Sequence, residues 1–173
     1  MQNKNRFLEM TATVVIVAQM VSAATDITAK FTDPNFRTEV YKAIGKTPGV
    51  PILDSYVSDI KYLDVSNKNI TSIAGIECFT ELLSFDCSWN QLTKVDISNN
   101  TSLTHLGFGH NQLASLDVSK NTALIDLWCY SNELTALDVS ENLKIQQLLC
   151  NNNNLTELNV SNNIRPLAKS IFF

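Results

Sequence analysis

From Leu82 to Val160 the apolar residues of this chain fall at the same places four times over, once every 21 residues. Counting each unit from its first apolar residue, positions 1, 4 and 6 hold Leu82, Phe85 and Cys87; Leu103, Leu106 and Phe108; Leu124, Leu127 and Cys129; and Ile145, Leu148 and Cys150. Position 11 is Leu92, Leu113, Leu134 and Leu155, and positions 14 and 16 are Val95 and Ile97, Leu116 and Val118, Leu137 and Val139, Leu158 and Val160. Position 9 is an asparagine each time: Asn90, Asn111, Asn132 and Asn153. A fixed period of this length marks a stacked architecture, in which each unit is one turn of a coil and buries its apolar side only against its neighbours.

Within a unit, the spacing 1, 4, 6 is a bend followed by alternation, which predicts a short strand with positions 4 and 6 inward and 3, 5 and 7 outward. One such strand per turn predicts a single parallel sheet. An asparagine amide both donates and accepts, so position 9 is expected to bond the backbone of its own turn and of the next, satisfying groups that a tight bend would bury unpaired.

The motif L-x-x-L-x-C-x-x-N-x-L, as in "LIDLWCYSNEL", with the second half "LDVSKN" or "LDVSEN", resembles the leucine-rich repeat in its 21-residue bacterial form. Residues 60–163 carry it. Upstream, "FTDPNFRTEVYKAIG" and "VSDIKYLDVSNKNITSIAGIECFTEL" resemble the N-terminal cap and first repeat of internalin-like secreted proteins. The resemblance implies a short, curved, right-handed solenoid with its parallel sheet on the concave face, an N-terminal helical cap, and adhesion or host interaction as the functional theme.

Outside the repeats the chain divides into three parts. Residues 1–23 read as a secretory signal peptide: Lys4 and Arg6, an apolar run from Met10 to Val21 too short for a membrane span, and Val21, Ser22, Ala23 at the cleavage site. Residues 24–59 read as the cap, because an array would otherwise expose a whole apolar cross-section. There Asp33 and Pro34 open a helix, Phe36, Val40, Ala43 and Ile44 recur at helical spacing, and Gly45 closes it, with a second short segment over Asp54 to Asp59. The first repeat, Ile60 to Glu81, runs 22 residues and has Lys68 at position 9, with Asn69 one place late. Residues 164–173 open on Pro166 where a leucine is due; they read as a degenerate cap, with Leu167, Ile171, Phe172 and Phe173 folded over the last coil, or as a truncation.

Charge narrows the function. The chain has net charge −4; without residues 1–23 it keeps 16 acidic against 11 basic residues, which argues against a nucleic-acid surface. The repeat frame leaves the outward positions 2, 3, 5, 7 and 8 free, and both tryptophans and both histidines lie there. Trp89, His105, His110, Ile125, Asp126, Trp128, Tyr130 and Leu149 form the candidate ligand-binding row on the concave face. Exposed aromatics reduce solubility, so such a row points to contact with a protein or a surface glycan. The competing account is that the rings merely cover one another, in a passive spacer or a fragment of a larger surface repeat protein.

Chemistry is weakly supported. His105 and His110 with Asp86, Asp126, Ser84 and Ser88 include the types of a nucleophile, base and orienter, but they sit on an open row with no strained nucleophile turn, and no catalytic residue is assigned. No metal or cofactor is expected, and the position-15 column Asp96, Asp117, Asp138, Asn159 lacks a multi-ligand loop, so it reads as hydrogen bonding or solvation. Ser98, Ser119, Ser140 and Ser161, and Asn100, Asn121, Asn142 and Asn163, read as turn residues. Cys87, Cys129 and Cys150 share position 6 with Phe108, so that position calls for an apolar filler and the cysteines are expected as free thiols.

Overall fold

The computed structural model describes residues 23–163 and the backbone of Ser170–Phe172. The signal-peptide reading of residues 1–22 lies outside the described residues, as do Leu167 and Phe173.

Six short strands form one parallel sheet: β1 Tyr62–Asp64, β2 Ser84–Asp86, β3 His105–Gly107, β4 Asp126–Trp128, β6 Gln147–Leu149 and β8 Ser170–Phe172, in that spatial order. The register aligns Leu63, Phe85, Leu106, Leu127, Leu148 and Ile171 as one inward row. On the return leg of the coil β5, Ala136–Asp138, pairs in parallel with β7, Glu157–Asn159, a second small sheet that the apolar pattern does not distinguish from loop.

The last strand departs from the sequence reading. Ile171 stands opposite Leu148, 23 residues away instead of 21, so the chain absorbs Pro166 with two extra residues and regains the frame. The segment therefore extends the sheet and does not lie across its end as a lid. An open strand edge presents unpaired N–H and C=O groups, and that backbone demand outweighs a missing leucine.

The core follows the predicted positions. Phe85, Leu106, Leu127 and Leu148 are buried with Leu82, Leu103, Leu124, Leu92, Leu113 and Leu134, and Phe85 meets Phe108 edge to face at 5.9 Å. All four cysteines are free; Cys87, Cys129 and Cys150 are buried, and burial pushes their thiols above the ordinary range.

Position 9 holds the coils together, with one correction to its direction. Each asparagine reaches back to the preceding coil. Asn132 Nδ2 donates to the carbonyls of Phe108, at 2.9 Å, and of Cys129, at 3.1 Å, while its Oδ1 accepts from Leu113 N–H at 3.0 Å. Asn111 and Asn153 repeat the pattern one coil earlier and later. Asn90 does the same for the first repeat, taking Lys68 and Ile70 N–H and giving to Val65, so that coil has no need of an asparagine at position 9.

A second ladder stands where turn residues were expected. Asn100, Asn121 and Asn142, at position 19, are fully buried. Asn121 Nδ2 donates to Ile97 and Asn100 carbonyls, Asn142 Nδ2 to Val118 and Asn121, and Asn163 Nδ2 to Asn142. The serines do form turns: Ser98, Ser119 and Ser140 N–H groups bond Oδ1 of Asp96, Asp117 and Asp138, and this holds those exposed carboxyls below their ordinary range.

The cap comprises α1, Pro34–Ala43, and the short α2, Asp54–Val57. Gly45 ends α1 with φ 64°. The buried side of α1 is Phe36, Val40 and Tyr41, whose hydroxyl donates to Val50; Ala43, expected inward, is exposed. Asp33 fastens this cap to the first coil. Only 5% exposed, its Oδ1 accepts from Asn35 and Phe36 N–H, and its Oδ2 from Thr71 N–H, Thr71 Oγ1 and Ser72 N–H. Above the joint, Gly75 adopts φ 101°, and a Cβ there would come 2.5 Å from the buried Phe31 ring.

Two predictions follow from these joints. Burial opposes the Asp33 charge, but the donors from Phe36, Thr71 and Asn35 outweigh it and hold the carboxyl below its ordinary range. A depressed folded pKa stabilises fully above the unfolded value near 3.9 and loses that contribution as pH falls through the folded value. Asp33→Ala should therefore lower unfolding free energy by about 2–4 kcal/mol at pH 7, and the gap between variant and parent should close below about pH 4 in denaturant titrations. Asn132→Ala, which strands the Phe108 and Cys129 carbonyls and Leu113 N–H, should cost about 2–4 kcal/mol, whereas the exposed Asn99→Ala should stay within about 0.5 kcal/mol by the same titration.

Candidate functional site

Because strand residues alternate, the sheet presents two outward columns. Position 3 is Tyr62, Ser84, His105, Asp126, Gln147 and Ser170; position 5 is Asp64, Asp86, Gly107, Trp128, Leu149 and Phe172. Beyond the strands the chain turns at position 8, where Asn67, Trp89, His110, Ser131 and Asn152 all have positive φ, between 53° and 59°. Asparagine tolerates that left-handed conformation because its short polar side chain bonds locally, but tryptophan has no such compensation.

The structure sorts the eight predicted residues into two groups. Trp89, His110 and Tyr130 form one continuous stack along the sheet edge. The Trp89 and His110 rings lie 3.5 Å apart at 22°, and Tyr130 meets His110 edge-on at 5.2 Å. Trp89 is 57% exposed, while His110 and Tyr130 are half-buried. Gly109 makes the stack possible, since a Cβ there would stand 2.5 Å from the Tyr130 ring.

The second group lies over the middle of the sheet. His105 Nδ1 is 2.8 Å from Thr104 Oγ1 and its Nε2 is 3.2 Å from Asp126 Oδ2; the Thr104 hydroxyl also donates to the Leu83 carbonyl. Trp128, half-buried, is the register partner of Gly107 and Leu149 and donates its indole N–H to Gln147 Oε1 at 2.6 Å. Ile125 and Leu149 are half-buried as well. The space above Gly107 is taken by Asp86 and Ser88 and not by Trp128, which the sequence reading placed there. Tyr62, 73% exposed at the head of its column, was not singled out from sequence, although it stands in the same outward frame.

Chemical alternatives gain little from this geometry. Among the described residues no hydrogen bond joins a serine hydroxyl to either histidine, and Ser88 is buried. Among those residues, too, no group of three or more His, Cys, Asp or Glu side chains is placed to hold one metal ion, and no helix is long and apolar enough to cross a membrane. Clefts of about 460 and 480 Å³ flank the position-15 column, beside Lys94 and Asp96 and beside Asp117 and Asp138.

No family model matches the chain. Over 71 residues it is 39% identical to internalin J of Listeria monocytogenes serotype 4b (strain F2365), a stretch that covers 41% of this chain and 8% of that protein. The solved functional domain of internalin J from Listeria monocytogenes superposes with a TM-score of 0.77 at 38% identity, over 81% of this chain and 31% of that one. The chain is an internalin-like leucine-rich repeat protein. A second Listeria monocytogenes internalin, InlF, shares the fold with a TM-score of 0.66 at 22% identity, over 80% of this chain and 46% of its own. The internalin J domain is described as including a cysteine ladder. The internalin-like chain here spans less than a third of that solved chain.

The position-8 geometry yields a direct test of whether the stack serves the fold. A bulky side chain in the left-handed region costs roughly 1–2 kcal/mol, about what an aromatic pair returns, ~0.5–1.5 kcal/mol. Replacing Trp89 and His110 together by asparagine, the residue of the first and last described coils, should leave the melting free energy within about 1 kcal/mol of the parent. A loss well beyond that would make the rings structural.

Proposed function

We propose that this protein is a non-catalytic, exported binding module that recognises a protein or surface glycan through the outward face of its parallel sheet, in adhesion or host interaction. The observation that carries the reading is Trp89. It is held in a backbone conformation unfavourable to its side chain, is more than half exposed, and is braced by His110, which a purely structural coil does not require. Backbone strain concentrates where function demands it, and large rigid aromatics are favoured anchors at interfaces. His105, His110, Ile125, Asp126, Trp128, Tyr130 and Leu149 complete the face. The likeness to internalin J supports a binding role, and the signal-peptide features of residues 1–23 support export. The competing account, a spacer, has no use for an exposed Trp89.

The test is a pull-down from surface extracts with the parent chain beside a Trp89→Ala, Trp128→Ala double variant whose folding is verified by circular dichroism. A partner captured by the parent and lost by the variant is expected. Equal capture by both, or capture by neither, would remove the sheet face from consideration and favour the spacer.

A further inference from the structure

The surroundings of Trp89 carry charge as well as aromatic surface. Asp64 and Asp86 are register partners on β1 and β2, so their side chains project from the same face of adjacent strands, about 4.8 Å apart along the sheet. Each has one oxygen engaged: Asp64 Oδ1 accepts from Ser66 N–H and Asp86 Oδ1 from Ser88 N–H, both at 2.9 Å. No cation of the protein is paired with either; the ion pairs among the described residues join Lys30 to Glu77, Lys42 to Glu39 and His105 to Asp126. Like charges directly opposite on neighbouring strands destabilise a sheet. The arrangement is nonetheless accommodated, because Gly107 leaves free the space in which Asp86 sits, where a Cβ would come 2.6 Å from its Oδ1.

Trp89 lies three residues beyond Asp86, at most about 10 Å of extended chain. Its ring has His110 against one face and is otherwise largely open. An exposed indole beside two carboxylates without an internal counter-charge matches one side-chain chemistry closely. A guanidinium is planar, stacks on an indole face and bonds carboxylate oxygens through its forked N–H groups.

We infer that the β1–β2 end of the sheet face binds an arginine-bearing segment of a protein partner, with the guanidinium stacked on Trp89 and Asp64 and Asp86 as its counter-charges. This rests on the reading of the sheet face as a binding surface and narrows it. A neutral sugar also stacks on indole, but it leaves the repulsion between the two carboxylates in place. A cation relieves that repulsion, which favours the protein segment over the glycan.

The probe is an acetylated, amidated tetra-arginine peptide titrated into the full chain, with a tetra-citrulline peptide as the uncharged isostere, following the indole N–H resonances of Trp89 and Trp128 by nitrogen-15 NMR. Tetra-arginine should move the Trp89 resonance and leave that of Trp128 in place, and citrulline should bind at least tenfold more weakly. Asp64→Asn with Asp86→Asn keeps an acceptor for Ser66 and Ser88 N–H, so it should weaken tetra-arginine binding at least tenfold without lowering the melting temperature. Equal binding of citrulline, insensitivity to the double asparagine variant, or a Trp89 shift with chitohexaose and none with tetra-arginine would each overturn the inference. If a pull-down partner depends on Trp89 and Trp128 while tetra-arginine gives no response, the guanidinium reading alone fails and the binding face stands.

Discussion

Everything in this fold depends on one coil being bonded to the next in spite of strands only three residues long. A three-residue ladder supplies few hydrogen bonds, and the tight bend after it turns backbone carbonyls inward where no strand can reach them. The position-9 amide meets that demand in one group: it donates to position-6 carbonyls of two successive coils and accepts an N–H from position 11 of the earlier one. The bond is inherently between coils. Asn132 leaves nothing of its own coil complete without the coil before it, which is why the unit cannot be understood singly and why the array needs a first member of different construction.

That first member is the cap, and the same logic of unpaired backbone explains its attachment. Where the coil after Val65 has no predecessor, Thr71 and Ser72 N–H groups would face the cap unpaired. Asp33 takes both while capping α1, so one carboxylate serves two elements. The aromatic cluster of Phe31, Phe36 and Phe79 then closes the end of the core, with Phe31 lying against Gly75. The burial of a charge at this joint is tolerable because its oxygens are satisfied by donors on both sides.

Much of this was legible in the sequence, for a physical reason: a residue required once per coil is written once per coil. The inward row and the position-9 asparagine could be read from recurrence alone. The direction of the asparagine bond could not, since a repeat looks the same read forwards or backwards. Position 19 recurs as strictly as position 9, yet Asn100, Asn121 and Asn142 follow serine-containing turns and were credited to turn chemistry, when their burial makes them a second ladder. Ser170–Phe172 escaped because register counts residues, and two extra ones hide a strand whose own pattern, Ile171 with Phe173, is intact. At the candidate site, recurrence is silent by construction. Adjacency of Trp89 and His110 follows from the period, but the Trp128 bond to Gln147 and the filling of Gly107 by Asp86 depend on side-chain directions that no period specifies.

The conflict between frame and side chain at position 8 is what separates the two classes of outward residue. The frame imposes a left-handed turn there in every described coil, and Asn67, Ser131 and Asn152 are small polar residues that accept it. Trp89 and His110 do not suit it, and they are adjacent, stacked and flanked by Gly109, so three successive choices act in concert around an arrangement the repeat does not need. Where local preference and global fold agree everywhere else, a coordinated local violation is the mark of a demand from outside the fold. By the same standard, Trp128 and Leu149 sit at an unstrained strand position, half-buried and internally bonded. They support the face, and Trp89 with its two neighbouring carboxylates is the part of it shaped for something else to complete.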